Sequence, residues 1–372
     1  MTPSRGCKAL QLTGKSLIAF NNGVFELKDK VFRCAVPEDY VSIGVGYNYI
    51  PEKDHDLYQM VERYWQTMHP DPDQREYVIK TFARHLYGDV GENLFHIHAG
   101  YQGTAGNGKT TFFELLEMAT GDYTHKFGVE MLVAKQRIEQ GKPMPDFQYW
   151  KGRRILYCTE PKHDDIINTG ILKDITGGEK IMYRLLYANE INHFRPQYKM
   201  HIMCNDPPQV DGTDYGIKRR IRKIDYVSQF VHADQVNERL HYYPRDDQFI
   251  LTIRSNKVFR MEFLRFLLDR YDHGYEYEMP KVIAENSRMY LQENDNVHKF
   301  ASEYILQDKN AYFTLKQAKD LFRSSEFFSG KIQTLKTDLQ KLLKVACEEQ
   351  RMINGKNEKN VFAGYKLVTS LD

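Results

Sequence analysis

Residues 103–110 read GTAGNGKT, a match to GxxxxGK[ST], and this octapeptide restricts the chain more than any other stretch. Gly103, Gly106 and Gly108 let the backbone wrap until successive N–H groups point at one anion. A helix beginning at Lys109 lays the positive end of its dipole on the same charge. Thr104, Ala105 and Asn107 complete the loop, Lys109 is placed to reach β- and γ-phosphates, Thr110 to hold Mg²⁺, and Thr111 continues into the helix. The required flanks are present: the short apolar run Asn93–Ala99 (NLFHIHA) before it, and Lys109–Ala119, closed by Gly121, after it. A solvated glycine loop is the bland alternative, and those flanks argue against it. The expected ligand is ATP with Mg²⁺, and the expected reaction is hydrolysis.

Further short apolar runs follow at Arg154–Thr159 (RILYCT), Tyr198–Cys204 (YKMHIMC) and Ile221–Val227. Buried strands alternating with helices predict an α/β fold with a mostly parallel sheet covered on both faces. Upstream, SLIAF and VFEL flank Asn21-Asn22-Gly23, a hairpin signal. Leu57, Val61, Tyr64, Trp65 and Met68 then recur at helical spacing, and Asp71-Pro72 opens a second helix carrying Tyr77, Val78, Phe82 and Leu86. Downstream, Phe263, Leu264, Leu267, Leu268 and Tyr271 mark a helix ended by Gly274, and the last seventy or so residues read as three helices and a hairpin.

Composition removes several classes. Hydrophobic residues make up 41% of the 372, and no apolar run approaches the ~20 residues a membrane span needs. The opening MTPSRGCKALQLTGK lacks the apolar region of a secretory leader. Cys7, Cys34, Cys158, Cys204 and Cys347 form no CxxC pair, which reads as reduced and intracellular, with neither zinc site nor disulfide framework. Net charge is +2, so contact with a polyanion must come from local clusters, of which Lys218–Lys223 (KRRIRK) is the densest.

Hydrolysis also needs a carboxylate to orient water and a group that senses the γ-phosphate. Glu160 ends the RILYCT run and Asn205 ends YKMHIMC. Each has a plainer reading: a Glu in a loop, or an Asn before the turn Asp206-Pro207-Pro208. His96 and His98 alternate on the strand before the loop, and with no third ligand nearby in sequence they read as packed strand histidines. Asp71 and Asp73 fit helix capping better than a metal motif.

The succession of GTAGNGKT, RILYCTEP, LKDITGGEKIMYRLLY, HFRPQYKMHIMCNDPP and IKRRIRKIDY closely resembles superfamily 3 helicases. The likeness is greatest to the primase-helicases of large cytoplasmic DNA viruses and related phages and plasmids, and it covers roughly residues 16–372. It implies an AAA+-type core over 91–230, preceded by a β-rich segment (1–53) and a helical collar (54–90). It further implies a helical linker region (231–299) and a winged-helix-like domain (300–372).

On this resemblance Lys109 and Thr110 are the Walker A pair, Glu160 the Walker B acid with a share in holding Mg²⁺, and Asn205 the motif C residue. Arg220, then Arg219, is the arginine acting on a neighbouring subunit's nucleotide, which implies a hexameric ring. The implied partners are single-stranded or forked DNA, further copies of the chain, and a primase domain or other replication proteins, with no membrane; the implied location is host cytoplasm. Thr159 stands where many relatives carry a second acid. The hairpin that touches DNA in the family corresponds to Tyr187–Arg195 (YANEINHFR), which has no lysine. Asn189, Asn192, His193 and Arg195 are its candidates for phosphate contact, a structural hairpin being the alternative. Lys173 and Arg184 match basic positions that serve either nucleotide or DNA. Primer synthesis would need metal-binding carboxylates on a separate fold, for which the residues before 16 leave no space, so no primer synthesis is expected of this chain. A P-loop ATPase that remodels or packages nucleic acid without unwinding, and a replisome scaffold, are the alternatives.

Overall fold

The computed structural model describes residues 14–133, 144–162, 165–328, 332–353 and 355–368. Cys7 and all but the last two residues of the stretch read for a leader lie outside them. The chain divides into two compact units, one comprising the residues up to Val210 with Asp214–Ser287, the other Asp211–Thr213 with Arg288 onward.

In the first unit, β1 (Leu17–Phe20), β2 (Gly23–Glu26) and β3 (Val31–Arg33) form an antiparallel meander, with Asn21-Asn22 at its first turn. Helices α1 (His55–Met68) and α2 (Pro72–His85) follow, each started by an aspartate. Asp54 accepts from the Leu57 N–H and Asp71 from that of Gln74. Asp71 is thus a cap.

Next come β4 (Phe95–Gly100), α3 (Lys109–Thr120), β5 (Thr124–Lys126), the single turn α4 (Glu130–Val133), β6 (Ile155–Thr159), β7 (Ile166–Ile167) and α5 (Thr169–Thr176). A hairpin of β8 (Ile181–Arg184) and β9 (Ile191–Phe194) leads into β10 (Lys199–Cys204), β11 (Gln209–Val210), the turn α6 (Tyr215–Lys218) and β12 (Ile221–Tyr226). The unit closes with β13 (Gln229–Val231), β14 (Tyr242–Pro244), α7 (Asp247–Ser255), α8 (Lys257–Asp269) and the start of α9 (Lys281–Glu293).

The central sheet has the order β12-β4-β10-β6-β5, every pairing parallel. Four of its strands are the apolar runs of the sequence. The fifth, Thr124–Lys126, is too short to carry a pattern and exists by pairing with β6. All six residues of β4 and of β10 are buried, as strands covered on both faces require. Helices α1 and α8 belong to the same core as the sheet. Trp65 stacks on Phe263 at 5.9 Å and meets the Phe112 edge of α3 at 5.2 Å. The segments read as collar and linker therefore pack about one hydrophobic centre with the phosphate loop.

That centre also holds polar rings. His96 and His98 are fully buried on β4, and the structure supplies what their spacing lacked: His201 on β10 and His85 at the end of α2 pack against them. His96 and His98 are thus packed strand histidines, and the third ring absent from their sequence neighbourhood arrives through space. Parallel pairing sets His201 beside His96, and α2 folds back over both, a proximity that 105 residues of separation conceal.

The second unit runs α10 (Asn296–Tyr304), β15 (Ile305–Thr314), α11 (Leu315–Ser324), α12 (Leu335–Leu343), β16 (Glu348–Ile353) and β17 (Lys356–Leu367), with sheet order β15-β17-β16. Phe313 and Phe362 stack across the sheet at 5.0 Å over a core that includes Phe300, Phe322 and Leu339. Thr314 and Gln317 form the capping box of α11. Strand β15 is additional to the three helices and hairpin expected here; it exists by pairing with β17, interrupted by a shift of register between Gln307 and Tyr312. No helix among the described residues is long and apolar enough to cross a membrane.

Candidate functional site

Parallel strands deliver their carboxyl ends to one edge of the sheet, where α/β folds bind ligands. At this edge β4 runs into the phosphate loop, β10 into Asn205 and β6 into Glu160. Backbone bonds lock the ends together: Gly100 N–H donates to the Asn205 carbonyl at 3.1 Å, and Glu160 N–H to that of Met203 at 3.0 Å.

Gly103, Gly106 and Gly108 all sit at φ of 73–75°, the left-handed region that side chains disfavour. At Gly108 space adds a second constraint, since a Cβ there would lie 2.8 Å from the Phe230 ring. Asn107, 1% exposed, fastens the loop, its amide donating to the Tyr226 and Ser228 carbonyls at 3.1 and 3.0 Å and to the Thr104 hydroxyl at 3.2 Å.

Lys109 opens α3. Its Nζ donates to Asn107 Oδ1 at 2.9 Å and to Asn205 Oδ1 at 3.3 Å. Burial pushes its pKa down to about 8, against weaker support from Cys204 and Asp225. The ammonium is thus held by two neutral carbonyl oxygens, and an anion placed before it would relieve the desolvation. Glu160 is exposed and adopts φ 57°. A non-glycine residue in that conformation costs of order 1 kcal/mol or more, and such strain concentrates at functional positions.

Together these residues line a cleft of about 620 Å³ containing Ala105–Thr111, Glu160 and Asn205. Its other wall, invisible to motif reading, comes from α1, β13, β14 and α7; Met60, Tyr64, Phe230, Tyr243, Phe249 and Ile250 make it largely apolar, with Arg63 and Arg245 among them. Phe230 N–H donates to the Gly106 carbonyl at 2.9 Å, tying this wall to the loop. Phosphate-binding amides at one end and aromatic rings at the other suit a nucleotide's two chemistries. Gly103 and Thr104 support the loop from outside the cleft, where Thr104 Oγ1 donates to the Tyr101 carbonyl at 2.8 Å.

Arg219 and Arg220 are not brought to this cleft. They precede β12, whose Ile221 pairs with Phe95 at the opposite end of β4. The six residues of β4 at about 3.3 Å each separate them from the loop by roughly 20 Å. Arg220 is 7% exposed and occupied, donating to the Gly216 carbonyl at 2.7 Å and Thr176 Oγ1 at 3.3 Å. Arg219 is exposed. Lys173 pairs with Asp214 near the same edge, and Lys223 with Asp225 at 2.5 Å.

The hairpin lies between α5 and β10. Cross-strand pairing puts Met182 with His193 and Arg184 with Ile191 on one face, while Ile181 and Phe194 are buried on the other, followed by Tyr183 with Asn192. Asn189 and Arg195 are exposed, and the connecting turn presents Leu186 and a fully exposed Tyr187 at φ 61°. Tyr187 was within the hairpin read from sequence, yet only its exposure singles it out.

A parallel sheet of this order, with a glycine loop, Lys109, Glu160 and Asn205 at one edge, is an α/β core of the P-loop type. No family model matches the chain. Among known proteins it is 29% identical over 303 residues to "Putative helicase L207/L206" of Acanthamoeba polyphaga mimivirus, covering 79% of this chain and 31% of that protein. It is 24% identical over 272 residues to "Putative helicase 022R" of Frog virus 3 (70% and 27%) and 23% identical over 277 to "Putative primase C962R" of African swine fever virus (72% and 28%). The chain is a homologue of these viral proteins and spans about a third of their length or less. The solved C-terminal region of NrS-1 aligns at 13% identity with a TM-score of 0.47, over 84% of this chain and 79% of that one.

Proposed function

We propose that this chain is the motor part of an ATP-driven DNA helicase of viral DNA replication, working as a hexameric ring with an AAA+-type core and a winged-helix-like second unit. The observation that carries this reading is the Lys109–Asn205 hydrogen bond at 3.3 Å beside Glu160 in one cleft. It joins the residue that grips the phosphates to the one that reports their presence. Lys109 and the loop amides bind the triphosphate, Asn205 bears on its terminal phosphoryl group, and Glu160 orients the attacking water and takes its proton. The Thr110 hydroxyl and the Glu160 carboxylate share the cleft and are oxygen donors of the kind Mg²⁺ prefers. When bound, that ion neutralises phosphate charge. ATP hydrolysis assayed with and without single-stranded DNA, beside strand displacement on a forked duplex, tests the whole proposal. DNA-stimulated hydrolysis without displacement would favour a remodelling or packaging ATPase instead.

Lys109 gives the site a pH signature. With its pKa near 8 when unliganded, the amine is half charged at that pH, whereas bound phosphate oxygens keep it protonated. ADP binding at pH 8 is therefore expected to take up about half a proton, and affinity to fall as pH rises from 8 towards the usual lysine range near 10.4. Calorimetry in buffers of different ionisation enthalpy measures that uptake; none at pH 8 would contradict the assignment.

The hairpin is proposed to contact DNA through Tyr187, with His193, Arg184, Asn189, Asn192 and Arg195 as polar neighbours and Lys173 bearing on the same strand. An exposed ring supplies sequence-tolerant stacking where lysine is missing. Tyr187→Ala is expected to weaken binding to single-stranded DNA by about 1–3 kcal/mol while leaving DNA-independent hydrolysis unchanged. Fluorescence anisotropy at fixed salt decides this, and unaltered affinity would reduce the hairpin to a structural element.

A further inference from the structure

His85, His96 and His201 come from α2, β4 and β10, and one ring nitrogen from each lies within 4.8 Å of the other two. All are fully buried. His201 Nε2 stands 3.2 Å from His85 Nδ1. A tetrahedral ion with bonds of 2.0–2.1 Å to imidazole nitrogen sets its ligands about 3.3–3.4 Å apart, close to that separation. Both nitrogens of His96 and Nε2 of His85 have no hydrogen-bond partner. A neutral imidazole carries one donor and one acceptor, and leaving both unmade in a core is costly.

We propose that His85, His96 and His201 form a binding site for a borderline transition-metal ion, with Zn²⁺ as the reference occupant. Imidazoles without carboxylate or thiolate select zinc and its neighbours over Mg²⁺ or Ca²⁺, so this site is chemically separate from the oxygen donors at the phosphate loop. Asp89 adds no neutralising charge, being engaged by Lys199 at 2.7 Å and Arg84 at 2.8 Å; imidazole donation alone holds the ion. The surroundings already orient one ligand. His201 Nδ1 is 3.0 Å from His98 Nε2, and His98 Nδ1 is 2.9 Å from the Tyr226 hydroxyl. With His201 Nδ1–H donating to His98 and His98 Nδ1–H to Tyr226, the His201 Nε2 lone pair faces the ion, as outer hydrogen bonds commonly arrange. The ion would pin α2 to the two central strands. Being fully enclosed, it enters as the chain folds.

The test is independent of the nucleotide reading. The full chain is expressed in zinc-supplemented medium and purified without chelator or metal resin for elemental analysis, then unfolded, stripped and refolded with Co²⁺. About one equivalent per chain is expected, with the visible ligand-field absorption of Co²⁺ held by nitrogen at low coordination number, and His96→Phe should cut the content to below about a tenth. His96 makes no hydrogen bond, so phenylalanine removes a ligand without stranding a partner. If that variant does not fold, His85→Gln is read the same way. Wild-type protein without bound metal and without the Co²⁺ band, or a folded variant with unchanged content, overturns the proposal.

Discussion

Lys109→Ala should lower ATP hydrolysis by at least about 10²–10³-fold, the loss typical of deleting a preorganised charge-stabilising donor. The effect is large because Lys109 is the cation held at the loop itself. Its Nζ lies between Asn107 and Asn205, whereas the other cations of the cleft, Arg63 of α1 and Arg245 after β14, come from the opposite wall. Alanine also frees the Asn205 amide from its partner, so the sensing residue loses its reference point along with the phosphates losing their clamp. The loop itself should survive, because Asn107 remains fastened to the Tyr226 and Ser228 carbonyls. Circular dichroism and melting temperature should change little while turnover collapses. Glu160→Gln provides the contrast: nucleotide binding retained and hydrolysis lost, because an amide fills the same space but cannot take a proton. Hydrolysis retained in Lys109→Ala would remove the phosphate loop from the chemistry.

Much of this edge of the sheet was legible in advance because its signals are local. A glycine loop between an apolar strand and a helix, and polar residues ending two further apolar runs, are patterns within windows of ten residues. The other half of the cleft was not legible. Tyr64, Phe230, Tyr243 and Phe249 are ordinary aromatics until chain topology sets them against Gly106 and Gly108. The same holds for the buried histidines, whose contacts are between strands and between helix and sheet. Strand β15 left no signal for the related reason that it is defined by its partner β17. Motifs that carry their own geometry survive in sequence; walls and clusters assembled from distant segments do not.

The arginines before β12 test whether the site is completed by a second copy. Roughly 20 Å of β4 separates them from their own phosphate loop, so any action on nucleotide must be on a neighbour's. Sequence resemblance favoured Arg220, yet its guanidinium is committed to Gly216 and Thr176 while Arg219 is exposed. Arg219→Ala is accordingly expected to assemble normally and lose about 10³-fold or more in turnover, the scale of an arginine finger. Arg220→Ala should instead lower the melting temperature, because it strips two hydrogen bonds from a buried side chain. Complementation separates a finger from a local defect. In a random equal mixture of Arg219→Ala and Glu160→Gln subunits, about a quarter of the interfaces join an intact Glu160 to an intact Arg219 across the boundary, as heterologous ring contacts require. Turnover should therefore rise well above either variant alone, up to about that fraction of the wild type, with alternation between sites reducing it. Two inactive variants that stay inactive when mixed, in rings shown by native mass spectrometry to contain both, would mean that Arg219 does not serve its neighbour's nucleotide.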